Sequence, residues 1–120
     1  MIVFRDVTKK YSATKFAIQD VNLTIADGEF VFLVGPSGAG KTTMLRLLIG
    51  EIIPSKGSVF VDDLEVNKLK PKMIPFLRRK VGFVFQDFKL LEDRTVVENI
   101  GVTLEILGKS QKDSDKRISE

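Results

Sequence analysis

Apolar and polar residues alternate at the start of the chain. Ile2 to Thr8, IVFRDVT, has the period and β-branched content of a half-buried strand. Val21 to Ile25 predicts a second such strand, closed by the turn signal Asp27-Gly28. Phe30 to Val34, FVFLV, is apolar on both faces and predicts a buried central strand. The period then changes. Lys41 to Ile49 reads as a helix whose residues Met44, Leu45, Leu47, Leu48 and Ile49 leave little polar face, so burial is expected. Gly50 is its candidate C-cap, and Pro54 prevents it from resuming. Ser58 to Val61 predicts a short strand ended by Asp62-Asp63, and Pro75 suits the first turn of a short helix, PFLRRK. Val81 to Phe85 predicts another apolar strand. Thr95 and Glu98 have capping-box spacing, and Val97, Ile100, Leu104 and Leu107 form one helical stripe ended by Gly108. KSQKDSDKRISE, from Lys109 on, is polar and weakly helical. No internal repeat or linker is visible.

Strands first, then helix and strand in alternation, point to α/β or α+β. The first 29 residues supply strands without helices, so an antiparallel β portion attached to a parallel core is expected. A chain of 120 residues suits one small domain with a thin core. The chain has no cysteine, which excludes disulfides and thiolate metal sites. It also has no histidine, the usual neutral-pH acid–base group. MIVFRDVTKK lacks the apolar core of a secretory signal, and no run reaches the roughly 20 apolar residues of a membrane span. A membrane is therefore expected to matter only through a partner. The net charge is +3, and from Asn67 to Lys80 there are six Lys/Arg and no acid. This reads first as a solvated helix face and second as a surface near phosphate, acidic lipid or an acidic partner. Without a nucleic-acid-binding motif beside it, no nucleic-acid partner is expected.

The chemistry concentrates in one loop. Gly35-Pro36-Ser37-Gly38-Ala39-Gly40-Lys41-Thr42, followed by Thr43, matches G-x-x-x-x-G-K-[ST]. Glycines at 35, 38 and 40 let the backbone curl and approach a ligand without a Cβ between them. The curl turns successive N–H groups inward, and the helix from Lys41 adds its N-terminal dipole and unpaired N–H groups. Lys41 brings a cation to the β- and γ-phosphates, and Thr42 a hydroxyl to Mg²⁺. A chance glycine-rich turn is the competing reading. A buried strand before the loop and a helix after it count against chance.

Such a loop serves kinases, GTPases, motors and transporters alike. Hydrolysis needs further groups, one to hold Mg²⁺ from the other side and one to orient water. Two segments imitate the strand that ends in such an acid. VFVDD, Val59 to Asp63, reads better as a strand closed by an acidic turn. In GFVFQD, Gly82 to Asp87, the residue after the apolar run is Gln86, a neutral ligand that accepts no proton usefully.

Three features carry a family resemblance: VTKKY before the antiparallel β segment, GPSGAGKTT, and PFLRRKVGFVFQDFKLLEDRTVVENI. With them the chain resembles the ATP-binding subunits of ABC transporters over nearly its whole length. Within that family it resembles the FtsE type of cell division, through FLRR, FQDFKLL and DRTVVENI. The resemblance implies an α/β P-loop NTPase of ABC type, ATP and Mg²⁺ as cofactors, and specific roles. Tyr11 takes the place of the aromatic that stacks on adenine. Gly35, Pro36, Ser37, Gly38, Ala39, Gly40, Lys41, Thr42 and Thr43 form the Walker A segment. Thr42 and Gln86, the latter as the Q-loop glutamine, reach Mg²⁺. VFVDD becomes part of the β scaffold, and from about residue 88 the chain enters the helical subdomain that meets a transmembrane subunit. Phe88, Leu90 and Leu91 are either anchors for that partner or internal packing.

The family's signature sequence, Walker B acids, catalytic glutamate and switch histidine are absent from these 120 residues. Residues 1–120 are thus expected to be the N-terminal half of the family's domain. No catalytic residue is assigned within them. The parent is expected to be a cytoplasmic ATPase on the inner face of the cell membrane. It would pair with a second copy of itself and bind an FtsX-like transmembrane subunit. The 120-residue chain alone is expected to bind nucleotide without turnover and to leave sheet edges and apolar faces uncovered. Alternatives are an ATPase of another ABC subfamily, of the lipoprotein-release or macrolide-export type, and a non-catalytic nucleotide-binding module.

Overall fold

The structure, a computed structural model, describes residues 1–119. They form two compact units, Met1–Phe83 and the part from Val84 onward. In the first unit, strands β1 (Ile2–Lys10), β2 (Phe16–Ile25), β3 (Lys56–Val61) and β4 (Leu64–Glu65) make a sheet of order β2-β1-β3-β4. Every pairing is antiparallel. β1 sits between its neighbours, with Phe4 opposite Leu23 on one side and Val59 on the other. Phe4 and Val7, three apart, would face opposite ways in a regular strand, and the irregularity at Asp6 brings both to one apolar cluster with Ile18, Leu47, Val59, Val61, Val66 and Leu77. Asp6 and Asp20 interrupt the ladders at φ 49 and 44. Each bulge is held by side-chain bonds. The Asp6 N–H donates to Asn22 Oδ1 at 3.0 Å, and the Asp20 N–H donates to Thr8 Oγ1 at 3.0 Å.

Helix α1 (Lys41–Leu48) seats Leu47 and Thr43 inward and stops where the sequence expects. Gly50 takes φ 64, and its N–H donates to the Leu47 carbonyl at 3.1 Å. The β3–β4 hairpin turns on Asp62-Asp63, so VFVDD is an antiparallel scaffold strand with an acidic turn, as expected. Two 3₁₀ turns, Val66–Lys68 and Pro71–Met73, lead into α2 (Ile74–Lys80). Fully buried Leu77 pins α2 down, and Arg78 Nε donates to the Ile49 carbonyl at the end of α1 at 3.1 Å.

The second unit holds a turn at residues 86–89, α3 (Val96–Ile106) and α4 (Gln111–Ser119). The capping box read from Thr95 and Glu98 is present in both directions. Asn99 Nδ2 donates to the carbonyls of Leu91 at 3.1 Å, Arg94 at 3.2 Å and Thr95 at 2.9 Å, which ties the preceding loop to α3.

Four expectations need correction. Phe30–Val34 forms no strand, and it is exposed, with Phe30 at 85%, Phe32 at 78% and Val34 at 87%. Val81–Phe85 likewise forms no strand. The physical reason is the same for both. A strand exists only against a neighbour that takes its N–H and C=O groups, and no described segment pairs with either one. The antiparallel portion is therefore present, while the two segments expected to open the parallel core are not strands among the described residues. Helix α1 is also less buried than its composition suggests, since Leu45 is exposed. Finally, the chain divides at Phe83/Val84, where no linker is legible in the sequence.

Candidate functional site

The loop from Gly35 to Gly40 ends at the N-terminus of α1. Gly40 is the N-cap residue at φ 90, ψ 1, a conformation that penalises any Cβ. Space is denied as well, because a Cβ there would lie 2.4 Å from Ile18 Cγ2 and 2.6 Å from the Ala17 carbonyl oxygen. The loop is thus pressed against β2 at one point and exposed elsewhere. A second glycine, Gly38, has φ 80 with open space around it, so backbone alone faces solvent there. The curl is closed by the Ala39 N–H, which donates to the Pro36 carbonyl at 3.2 Å.

No side chain caps α1. The Met44 N–H donates to the Gly40 carbonyl at 3.0 Å, so the N–H groups of Lys41, Thr42 and Thr43 precede the first intrahelical acceptor. The loop and helix therefore present donors and the positive dipole end on an exposed stretch of the surface. Lys41 folds over it, with Nζ donating to the carbonyls of Gly35 at 2.6 Å and Pro36 at 2.8 Å. Uncapped N–H groups, a cation and no acidic residue in the first turn make a donor set suited to a polyphosphate. Thr42 is exposed beside them and carries a hard oxygen. Among the described residues no group of three or more His, Cys, Asp or Glu could hold a metal ion. A Mg²⁺ here fits only as an ion that takes most of its ligands from phosphate and water, which is its habit.

The structure brings Tyr11 to this loop. Its hydroxyl and Thr43 Oγ1 are 3.4 Å apart, and its ring is 52% exposed, open for stacking. The Tyr11 N–H donates to the Lys15 carbonyl at 3.0 Å, closing the turn that holds the ring at the end of β1. Arg46 is a neighbour that the motif does not reveal. It pairs with Glu51 at 2.8 Å, which raises its guanidinium above the ordinary range, and Tyr11 adds to the shift. Its position one helical turn beyond Thr43 was the available signal. Gln86 stands exposed in the second unit, where it opens the turn at residues 86–89. In that turn the Lys89 ammonium, 2.5 Å from Asp87, lowers the Asp87 carboxyl. Phe88 and Lys89 occupy positive φ, at 54 and 52.

Comparison with known proteins extends this geometry. A family model described as ABC transporter matches residues 18–120. Cell division ATP-binding protein FtsE of Streptococcus pneumoniae is 44% identical over 120 residues, all of this chain and 52% of the relative. FtsE of Mycobacterium tuberculosis is 48% identical over 110 residues, covering 91% of this chain and 48% of the relative. Methionine import ATP-binding protein MetN 2 of Lactiplantibacillus plantarum is 47% identical over 120 residues, 98% of this chain and 35% of the relative. The ATP-binding cassette MJ0796, solved as a dimer in a post-hydrolysis state bound to ADP and Pi, superposes with a TM-score of 0.88 at 37% identity. That match covers 98% of this chain and 54% of MJ0796. The likeness shows the fold, α/β of the P-loop cassette type. The chain spans about half the length of the FtsE relatives it matches.

Proposed function

Because the chain belongs to the ABC transporter family, we propose that residues 35–43 bind the phosphates of Mg-ATP. In this reading Tyr11 lies against the base. The N–H groups of Gly38 and of Gly40 to Thr43 hold phosphate oxygens, Lys41 leaves its two loop carbonyls for the β- and γ-phosphates, and Thr42 ligates Mg²⁺. An ion held there by Thr42 would supply neutralisation of the phosphate charge. Gln86 is the second residue proposed to reach the ion. The observation that carries the reading is the uncapped N-terminus of α1 beneath a loop whose Gly40 tolerates no side chain.

Residues 1–120 are proposed to be the N-terminal half of a nucleotide-binding domain, with the helical subdomain beginning near residue 88. By analogy with the FtsE relatives, the whole protein would be the ATP-binding subunit of a cell-division complex. It would bind an FtsX-like transmembrane subunit, pair with a second copy, and lie on the inner face of the membrane. No described helix is long and apolar enough to cross a membrane itself. ATP hydrolysis belongs to that whole protein, and the 120-residue chain alone is proposed to bind without turnover. A second reading, another ABC subfamily, is supported by the MetN 2 relative, which is as similar as the FtsE proteins. Co-purification from membranes separates the two. A four-span FtsX-like protein supports the first reading, and a transporter with more spans supports the second.

Binding is tested by titrating the chain with Mg-ATP and measuring release of phosphate in the same samples. Saturable binding without phosphate release is expected. Turnover that Lys41→Ala abolishes would overturn the binding-only reading.

A further inference from the structure

The stretch from Lys68 to Lys80 is rich in exposed basic residues that the proposed nucleotide site does not use. Its inward side is apolar and anchored, with Leu77 and Val66 buried in the core cluster and Ile74 packed near Gly50. Several of its cations are engaged locally. Lys68 pairs with Glu65 at 2.8 Å, Lys80 with Asp62 at 3.2 Å, and Arg78 holds the end of α1. Lys70 and Lys72 are exposed beside the Pro71–Met73 turn, and no described acid pairs with either. One turn into α2, Phe76 is 55% exposed, with the Arg79 guanidinium 5.7 Å from its ring centroid.

An exposed aromatic flanked by lysines has a specific use. Its ring partitions into the boundary between headgroups and acyl chains, and the lysines are drawn to anionic headgroups. Nucleic acid is less well matched, since one ring among lysines offers no succession of stacking platforms. A protein partner would need its own acids placed opposite Lys70 and Lys72, whereas a lipid surface supplies negative charge everywhere. Phe76 and the lysines project from a short element anchored by Leu77, so binding need not disturb the core.

We propose that Lys70, Lys72 and Phe76 form a docking face for an anionic membrane surface, independent of any nucleotide at residues 35–43. The test uses the 120-residue chain and vesicles of phosphatidylglycerol mixed with phosphatidylcholine, read by co-sedimentation. Each basic residue near such a surface contributes about fivefold to partitioning. Lys70→Gln with Lys72→Gln should therefore weaken partitioning about 30-fold, and the loss should shrink as salt is raised. Phe76→Ser should weaken it further, and pure phosphatidylcholine vesicles should bind little. A control pair, Lys112→Gln with Lys116→Gln, lowers net charge equally in α4 and should leave partitioning near native. All these side chains are exposed, so unfolding midpoints should match. Equal binding to neutral and anionic vesicles, or an equal loss in the control pair, would overturn the proposal.

Discussion

At Gly40 one residue's geometry decides whether the phosphate loop exists. An alanine there would need φ near 90 and would drive its Cβ into Ile18 and the Ala17 carbonyl. Left-handed strain alone costs about 1–3 kcal/mol, and the clash adds to it. Gly40→Ala should therefore lower the urea midpoint and weaken Mg-ATP binding together. Gly38→Ala meets only the strain and should do less of both. Tyr11 makes a finer distinction. If its ring stacks on the base, Tyr11→Ala should weaken binding up to about tenfold, the scale of an aromatic pair. Tyr11→Phe keeps the ring, loses the long bond to Thr43 and the hydroxyl's interaction with Arg46, and should stay near native affinity. Equal losses in the two variants, read by titration, would assign Tyr11 a structural role. Motif spacing makes the loop legible at this scale, because phosphate binding needs particular residues at particular offsets. It does not reveal Arg46, whose place beside Tyr11 depends on how α1 meets the end of β1.

Elements with local causes are the ones the sequence predicts best. The α3 capping box is such a case, since its donors and acceptors lie within four residues. The Thr95 N–H and hydroxyl each donate to Glu98 Oε2 at 2.8 Å, and the Glu98 N–H donates to Thr95 Oγ1 at 3.3 Å. Thr95→Ala should lower helix stability by about 1 kcal/mol, read from circular dichroism during urea unfolding. The Thr95 N–H first, then its hydroxyl and Arg94, hold the Glu98 carboxyl below its ordinary range. A depressed carboxyl stabilises the fold above its unfolded pKa, and that contribution is lost as pH falls through the folded value. Helicity of α3 should therefore fall on acidification below the usual carboxylate range, and Glu98→Gln should remove that dependence. A similar cap escapes the sequence reading at α4. Ser110 Oγ accepts from the Asp113 N–H at 3.2 Å and starts a helix that composition alone makes look weak. β2 begins five residues earlier than its alternation suggests, because Phe16 to Asp20 pairs with β1 across the bulge at Asp20. Phe30–Val34 marks the limit of local reading. A strand propensity is written in FVFLV, but forming the strand depends on a neighbour.

At the scale of the molecule, that segment leaves Phe30, Phe32 and Val34 open to water on a backbone that joins no sheet among the described residues. Such an exposed apolar stretch recruits other chains. Sedimentation should show association that grows with concentration, and Phe32→Ser should reduce it. A strictly monomeric profile at high concentration would contradict this. The proposed nucleotide site makes a separate demand, since the residues proposed for it in the first unit, Gly40, Lys41 and Tyr11, lie on or beside the start of α1. Isothermal titration of the native chain and of Lys41→Ala with Mg-ATP tests the account most directly. The account predicts saturable heat at one site per native chain and none for Lys41→Ala, with unchanged unfolding of the variant. Equal heats from both proteins, or none from a folded native chain, would contradict it.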